Sequence, residues 1–278
     1  MTFVPPEASP SGHTLTTLAD CREPLDLVRG LDAALTQIDF PANDGLRKGF
    51  GALRHIYRPQ AYAEAPLAAW LEQYGRPGPR RALFLGMNPG PWGMGQTGIP
   101  FGDPEIVRSW MGLTGPVHNP KGARPDRPVL GLHSKRRESS GQSLYGWAME
   151  RFGTAESFFR WVFVVNYCPL LFFDENGKNV IPTDFRKGGL GLREMTAWCD
   201  AALQAWIAMM EPTWVVGIGG YATARLTAAL EALPAAGKRH PKLASIIHPS
   251  PQTRGHWGRT GWSAYVEKQM ADSGLIWD

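Results

Sequence analysis

Four short apolar runs, separated by longer stretches of helical periodicity, constrain what this chain can fold into. The runs cover residues 82–87, 162–166, 214–218 and 243–247. Strands that are buried on both faces of a parallel sheet have this almost continuous apolar character. Helical patterns occupy residues 104–111, 143–152, 192–210, 221–233 and 261–273, and two more, at 25–38 and 61–74, precede the first strand. The alternation predicts an α/β fold with a parallel sheet.

The chain is long enough to bury one substantial core. It has 278 residues, of which 43% are hydrophobic, and it contains no internal repeat. Residues 1–20 are rich in Pro, Ser and Thr and are predicted to be disordered. Residues 21–278 are predicted to form a single domain.

The sequence lacks several patterns that would indicate export, a membrane span or a metal site. It has no signal-peptide pattern, and no apolar run reaches the roughly 18 residues of a membrane span. Cys21, Cys168 and Cys199 lie far apart, which indicates neither a disulfide framework nor a metal site. We therefore expect a reducing, cytoplasmic compartment, and we expect no metal, cofactor or membrane partner.

The first apolar run opens into a loop, residues 86–102, that is rich in glycine and proline. Glycine permits a close approach of backbone to a ligand and proline restricts the chain, so such a loop presents a preorganised surface. No Lys-Ser or Lys-Thr pair follows, as a phosphate-binding P-loop requires. Pro89, Pro91 and Pro100 oppose the helix of a dinucleotide-binding turn. We interpret the loop as a binding site, with a structural connection as the alternative.

Basic residues are concentrated in two segments, although the formal net charge is only +4. Residues 118–137 contain six Lys or Arg and one acid, and residues 238–268 contain the same numbers. Because these segments flank candidate site loops, an anionic polymer is the indicated partner, and a solvated face is the alternative.

Three of the four predicted strands end in unusual polar residues. The first runs into Asn88, the second ends at Asn166, and the fourth is followed by His248. Ligands of parallel α/β sheets bind outside the carboxyl ends of the strands. Convergence of the three side chains at one edge would make a reactive site.

Four ordered motifs carry a family resemblance. They are Gly-Met-Asn-Pro-Gly-Pro at 86–91, Gln-Thr-Gly-Ile-Pro-Phe-Gly at 96–102, Asn-Tyr-Cys-Pro-Leu-Leu at 166–171 and His-Pro-Ser-Pro at 248–251. Together they closely resemble the single-strand-selective monofunctional uracil-DNA glycosylases, a branch of the uracil-DNA glycosylase superfamily. The resemblance implies a three-layer α/β/α fold around a central four-stranded, mainly parallel sheet.

The resemblance also implies an activity. Such an enzyme flips uracil out of single- or double-stranded DNA and hydrolyses its N-glycosidic bond, leaving an abasic site. His248 matches the histidine that donates a hydrogen bond to uracil O2 as the base leaves, and Asn88 matches the residue that orients the attacking water. No lysine occupies a motif position, which fits a monofunctional enzyme that forms no Schiff base.

Four further residues match positions that hold the base. Phe101 matches the aromatic that stacks on it, Asn166 matches the amide that pairs with its edge, and Met87 belongs to the same set. Gly90 stands where some relatives have a bulky tyrosine against the thymine methyl. The resemblance therefore implies acceptance of 5-hydroxymethyluracil and related oxidised uracils.

One segment departs from the family pattern. The stretch 252–262, after the histidine motif, is longer than in the family and richer in glycine and basic side chains. We predict that Arg254, His256 and Arg259 contact phosphates and that an element near Trp257 fills the gap left by the flipped base.

Two other classes of function stay open at this point. A catalytically weak binder of damaged DNA would use the same surface, and an N-glycosidase of small nucleosides would use the same chemistry. The basic segments favour a polymer, and the pairing of His248 with Asn88 favours catalysis. We expect a monomer that acts on DNA in the nucleoid of a bacterial cytoplasm or in the nucleus of a eukaryotic cell.

Overall fold

The computed structural model describes residues 15–40, 45–233 and 240–277. The strands of this part of the chain are β1 (Leu53–Tyr57), β2 (Ala82–Gly86), β3 (Val162–Asn166), β4 (Leu171–Asp174), β5 (Asn179–Val180), β6 (Trp214–Ile218) and β7 (Lys242–Ile246). Its longer helices are α2 (Pro24–Thr36), α4 (Glu64–Tyr74), α7 (Ser139–Phe152), α9 (Leu190–Met210), α10 (Gly220–Glu231) and α12 (Trp262–Asp272). Its shorter helices are α1 (Leu15–Ala19), α3 (Pro59–Tyr62), α5 (Met94–Thr97), α6 (Pro104–Ser109), α8 (Ala155–Trp161) and α11 (Arg254–Trp257).

The central sheet is four-stranded and parallel, in the order β3-β2-β6-β7. Helices cover both of its faces, so the predicted three-layer α/β/α architecture is confirmed. Every residue of β2 and β6 is buried, which explains their continuous apolar sequence. The four predicted strands correspond to β2, β3, β6 and β7, each within one residue at either end.

A second, antiparallel sheet was not predicted. It has the order β1-β4-β5, and β1 pairs with β4 across more than a hundred residues of sequence. Such non-local pairing leaves no local signal, and β4 follows β3 so closely that the two read as one apolar region. This sheet matters for the site because Leu171, the first residue of β4, packs against Gly95 of the glycine-rich loop.

Helix boundaries differ from the predictions by a few residues. Helix α7 begins at Ser139, four residues before the predicted start, because the Glu138 side chain accepts a hydrogen bond from the Ser140 N–H and so caps the helix. The predicted helix at 61–74 is divided into α3 and α4. Helix α8, between α7 and β3, was not predicted.

The prediction of disorder for residues 1–20 is wrong for residues 15–19. These residues form α1, which packs on α9, and Leu18 is buried there. Burial of Leu18 against α9 stabilises this short helix, although the composition of the segment does not indicate a helix. Residues 1–14 lie outside the described residues.

None of the helices in the described ranges combines the length and the apolar character needed to cross a membrane.

Candidate active site

The glycine-rich loop leaves β2 at the carboxyl edge of the central sheet, where β3, β6 and β7 also end. Two backbone hydrogen bonds join the start of this loop to the residues that follow β3. The Tyr167 N–H donates to the Gly86 carbonyl and the Cys168 N–H donates to the Met87 carbonyl, each at 2.9 Å. The first sequence motif is thereby held side by side with the third.

Phe101 is held in a strained backbone conformation. Its φ is 55°, in the left-handed region that bulky residues rarely adopt, at a cost of about 1–3 kcal/mol. Gly141 of α7 lies directly against it, because a Cβ there would stand 2.1 Å from the Phe101 carbonyl oxygen. The Tyr145 hydroxyl donates to the Pro100 carbonyl at 2.7 Å. Helix α7 therefore fixes the position of the Phe101 ring.

Asn166 ends β3 beside this ring. Its Oδ1 is buried and accepts no hydrogen bond from any described residue, and its Nδ2 lies 3.2 Å from the Met94 sulfur. A Cβ on Gly86 would stand 2.2 Å from Asn166 Oδ1 and 2.6 Å from the Phe101 ring. Only glycine at position 86 lets the amide and the ring meet above the end of β2. An amide oxygen in this state is prepared to accept a hydrogen bond from a ligand.

Gln60 lies behind Asn166 and was not identified from the sequence. Its Oε1 is also buried without a partner among the described residues. Both amides line two small cavities of about 20 Å³ each. A cavity of this size has room for one water molecule, which needs polar partners such as these.

His248 follows β7 and faces Phe101, with the ring centroids 6.1 Å apart and inclined by 41°. Gly219, at the end of β6, lies against the histidine, and the Thr253 hydroxyl donates to the His248 carbonyl at 2.5 Å. Burial lowers the pKa of His248 to about 4, since a buried imidazolium loses its hydration. The ring is therefore neutral at physiological pH, with one N–H donor and one acceptor nitrogen.

The side chain of Asn88 lies on its own loop, and its Nδ2 donates to the Pro89 carbonyl at 3.3 Å. Asn88 is partly buried, as is Met87 beside it. An amide can orient a water molecule through its donor and acceptor atoms, but it takes no proton at neutral pH.

Gly90 faces an acid that the sequence reasoning missed. A Cβ at this position would stand 2.8 Å from Glu138 Oε2. The direction that a side chain would take from Gly90 is therefore occupied by a carboxylate rather than open. Burial raises the pKa of Glu138, and hydrogen bonds from Ser140 act in the opposite direction.

Asp103 holds the segment that carries Glu138. It is fully buried and accepts hydrogen bonds from the Glu138 N–H at 2.8 Å and from the Arg137 guanidinium at 2.9 Å. The same carboxylate caps α6 through the N–H groups of Glu105 and Ile106. One buried acid thus joins the end of the glycine-rich loop, α6 and the start of α7.

The other polar and aromatic residues of the loop have structural partners. Gln96 is 2% exposed, donates to the Pro91 and Pro128 carbonyls and accepts from the Leu130 N–H. The Arg136 guanidinium lies over the Trp92 ring, with its central carbon 4.1 Å from the ring centroid. The basic segment 118–137 therefore packs directly on the loop.

The predicted DNA-contact segment forms α11 between two short 3-10 helices, Pro251–Thr253 and Gly258–Thr260. Arg254, His256 and Arg259 are exposed, and none forms an ion pair with a described residue. Trp257 is half-buried, packs on the core, and donates from its indole N–H to the Thr253 hydroxyl at 3.4 Å. A groove of about 330 Å³ separates this segment from the start of α7.

The structure thus brings Phe101, Asn166 and His248 together, with Gly90, Met87 and Asn88 on the loop beside them. The sequence reasoning placed Gly86 in a motif without giving it a role, and it missed Gln60, Gly141 and Glu138. Glu138 stands one residue beyond the basic segment 118–137 and five before the predicted helix start at residue 143. A cap signal, an acid before Ser-Ser-Gly, was the one clue to it.

Three curated relatives are similar to this chain over nearly its whole length or most of it. Two are named single-strand selective monofunctional uracil DNA glycosylase. The relative from Bos taurus is 38% identical over 277 residues, which are 98% of this chain and 97% of the relative. The relative from Mus musculus is 35% identical over 96% of this chain and 93% of its own. The third, the single-strand selective monofunctional uracil-DNA glycosylase of Rattus norvegicus, is 37% identical over 88% and 82%.

A solved structure shares the fold. The crystal structure of wild-type SMUG2 from Pedobacter heparinus covers 88% of this chain and 95% of its own, with a TM-score of 0.56 and 19% sequence identity. No model of a known protein family matches the chain.

Proposed function

Because this chain belongs to the single-strand selective monofunctional uracil-DNA glycosylase family, we propose that it hydrolyses the N-glycosidic bond of uracil in DNA and leaves an abasic site. The observation that carries the proposal is the meeting of Phe101, Asn166 and His248 at one edge of the sheet. An aromatic face, an unpartnered amide oxygen and a neutral imidazole are the three groups that a planar base with an N–H edge requires.

In the proposed complex the uracil is flipped out of the stack and lies on the Phe101 ring. Asn166 Oδ1 accepts from uracil N3–H, and its Nδ2 donates to O4. Cytosine presents the reversed pattern and leaves both amide atoms unpaired, so it is rejected. Binding of cytosine would cost much free energy, because the amide is buried and would be left without hydrogen-bond partners.

The bond that breaks joins uracil N1 to the deoxyribose C1′, and its electron pair leaves with the base. His248 donates a hydrogen bond to uracil O2, where the negative charge develops. Water held by Asn88 forms the new bond to C1′ and loses its proton to the departing base or to solvent. Since Asn88 takes no proton, the rate depends mainly on stabilising the leaving group.

We also propose which DNA substrates the protein accepts and which residues contact them. Both single- and double-stranded substrates are accepted, as are C5-modified uracils such as 5-hydroxymethyluracil. Arg254, His256 and Arg259 contact phosphates, and the α11 segment near Trp257 occupies the gap in a duplex. The protein acts as a monomer on nucleoid or nuclear DNA.

The test is release of uracil from a labelled oligonucleotide, followed by alkali to cut abasic sites. Wild type should give alkali-dependent scission in single strands and in the annealed duplex, with no scission before alkali. His248→Ala should lower the single-turnover rate by about 10²–10³, the loss typical of one donor to a developing anion. Wild type without scission, or His248→Ala equal to wild type, would refute the proposal.

A further inference from the structure

We infer that Glu138 is a specificity-determining residue, whose carboxylate faces the C5 substituent of the bound base and selects polar substituents over apolar ones. The inference deepens the proposed function and rests on it, because it takes Gly90 as the backbone beside C5. Its own support is the position of the carboxyl group, which no sequence motif indicates.

Glu138 lies against two glycines of the loop. Its Oε2 is 2.8 Å from the point that a Cβ on Gly90 would occupy and 3.1 Å from the corresponding point on Gly93. The Gly93 point is also 2.7 Å from Glu138 Cγ. The carboxyl group therefore fills the volume that a side chain at either position would take.

The two carboxylate oxygens have different neighbours. Oε1 accepts from the Ser140 N–H at 3.4 Å and serves as the cap of α7. Oε2 is the oxygen nearer to Gly90 and Gly93. A helix cap needs one acceptor oxygen, so the cap alone does not explain why the second lies on the loop.

The position of Glu138 is fixed by buried neighbours. Its N–H donates to Asp103, which is fully buried and also binds the Arg137 guanidinium. Ser140, which caps with it, is buried as well. The carboxylate is therefore part of a rigid wall and not a surface group that swings away.

A carboxylate beside C5 discriminates by chemistry rather than by size. A hydroxyl on the C5 substituent donates a charge-assisted hydrogen bond to it. A hydrogen atom at C5 changes the binding free energy little. A methyl group displaces water from the carboxylate and offers it no hydrogen bond in return. Bulk at position 90 would exclude every C5 substituent alike, whereas this arrangement accepts the hydroxylated one.

The experiment compares kcat/KM for 5-hydroxymethyluracil and uracil in the same single-stranded oligonucleotide. For Glu138→Ala the ratio of the two should fall about tenfold or more, as expected for one lost hydrogen bond to a charged group. Glu138→Gln keeps the shape and an acceptor oxygen, so its ratio should fall less. Thr154→Ala is the matched control, because Thr154 caps α8 through the Ser157 N–H beyond the opposite end of α7. Its ratio should equal that of wild type.

An unchanged ratio in Glu138→Ala would overturn the inference, even if both rates fell together, because equal losses indicate a structural cap. A wild type that releases uracil but not 5-hydroxymethyluracil would also overturn it. Failure of the proposed function is distinct: there the wild type releases neither base.

Discussion

At the scale of single residues, His248 combines the polar role proposed for it with a buried position. Burial against Phe101 and Gly219 removes water from the imidazole and lowers its pKa to about 4. A neutral ring keeps one N–H to donate and brings no charge that must be desolvated before the base binds. The same burial would strengthen the hydrogen bond that we propose His248 donates to the developing anion.

The low pKa of His248 predicts how stability depends on pH. The unfolded chain takes up a proton near the ordinary value of 6.5, while the folded chain resists it down to about 4. Folding therefore releases this proton between these values, and the free energy of unfolding should fall as pH drops from 7 to 4. His248→Gln should lack this part of the loss. Chemical denaturation at both pH values measures it, and an NMR titration of His248 near 6.5 would contradict the assignment.

At the scale of elements, α7 acts as the support of the site. Its cap Glu138 lies on Gly90, and its first turn presents Gly141 to the Phe101 carbonyl. The strained φ of Phe101 persists because this contact and the Tyr145 hydroxyl bond surround it. The helix thus holds the Phe101 ring in place.

Two glycines of α7 give a matched test of this support. Gly141→Ala would place a Cβ 2.1 Å from the Phe101 carbonyl oxygen, so Phe101 must shift and uracil release should fall by at least tenfold. Gly146→Ala, in the same helix, meets nothing within 4 Å and should stabilise the protein by up to about 1 kcal/mol through helix propensity. Single-turnover rates and thermal unfolding measure both. Equal activity in the two variants would show that α7 does not position Phe101.

Asp103 offers a second prediction at this scale. Asp103→Ala removes the cap of α6 and leaves the Arg137 guanidinium and the Glu138 N–H without their acceptor. We expect a loss of about 2–4 kcal/mol in the free energy of unfolding, from the lost helix cap and from donors that lose a buried acceptor, since Arg137 itself is exposed. Asp126→Ala is the control, because Asp126 pairs with Arg124 and Arg127 at the surface and should matter little. Similar denaturation midpoints for the two variants would show that Asp103 does not hold the glycine-rich loop, α6 and α7 together.

At the scale of the whole molecule, positive charge is placed beside the site. The segment 118–137 packs on the glycine-rich loop through Arg136 and Trp92, and α11 follows the histidine motif. Both lie at the carboxyl edge of the sheet. A strand of DNA with one nucleotide in the site would therefore have basic side chains on either side.

This arrangement predicts a salt-dependent affinity. Arg254→Ala combined with Arg259→Ala should weaken binding of a uracil-containing single strand and reduce the slope of log K against log salt by about 1.4, or about 0.7 for each phosphate contact. Arg160→Ala is the control, since Arg160 stands two residues before β3, at the opposite edge of the sheet. Fluorescence anisotropy over a salt series measures the slopes. A slope unchanged in the double variant would remove α11 from the DNA interface.

β2, β3 and β6 could be predicted because burial on both faces fixes their composition, and the edge strand β7, in which only Ala244 and Ile246 are buried, has enough apolar residues to be recognised. Each of β2, β3, β6 and β7 reads as an apolar run of five or six residues, and each was found within one residue. The second sheet could not be predicted, because β1 is buried only at its two ends and its partner lies far along the chain. The helix caps, which depend on single side chains such as Glu138, were missed for a related reason: a cap signal is short and common.

The sequence by itself determined the architecture of the central sheet and the identity of the groups at its carboxyl edge, because apolar periodicity and ordered motifs are local properties of the chain. Phe101, Asn166 and His248 could be named from it. Only the tertiary structure decided what surrounds them: Gly86 gives the amide and the ring their common space, Gly141 holds the strained Phe101, and Glu138 comes to lie on Gly90 from a segment 48 residues away. Contacts of this kind depend on the packing of distant elements, which no local pattern records.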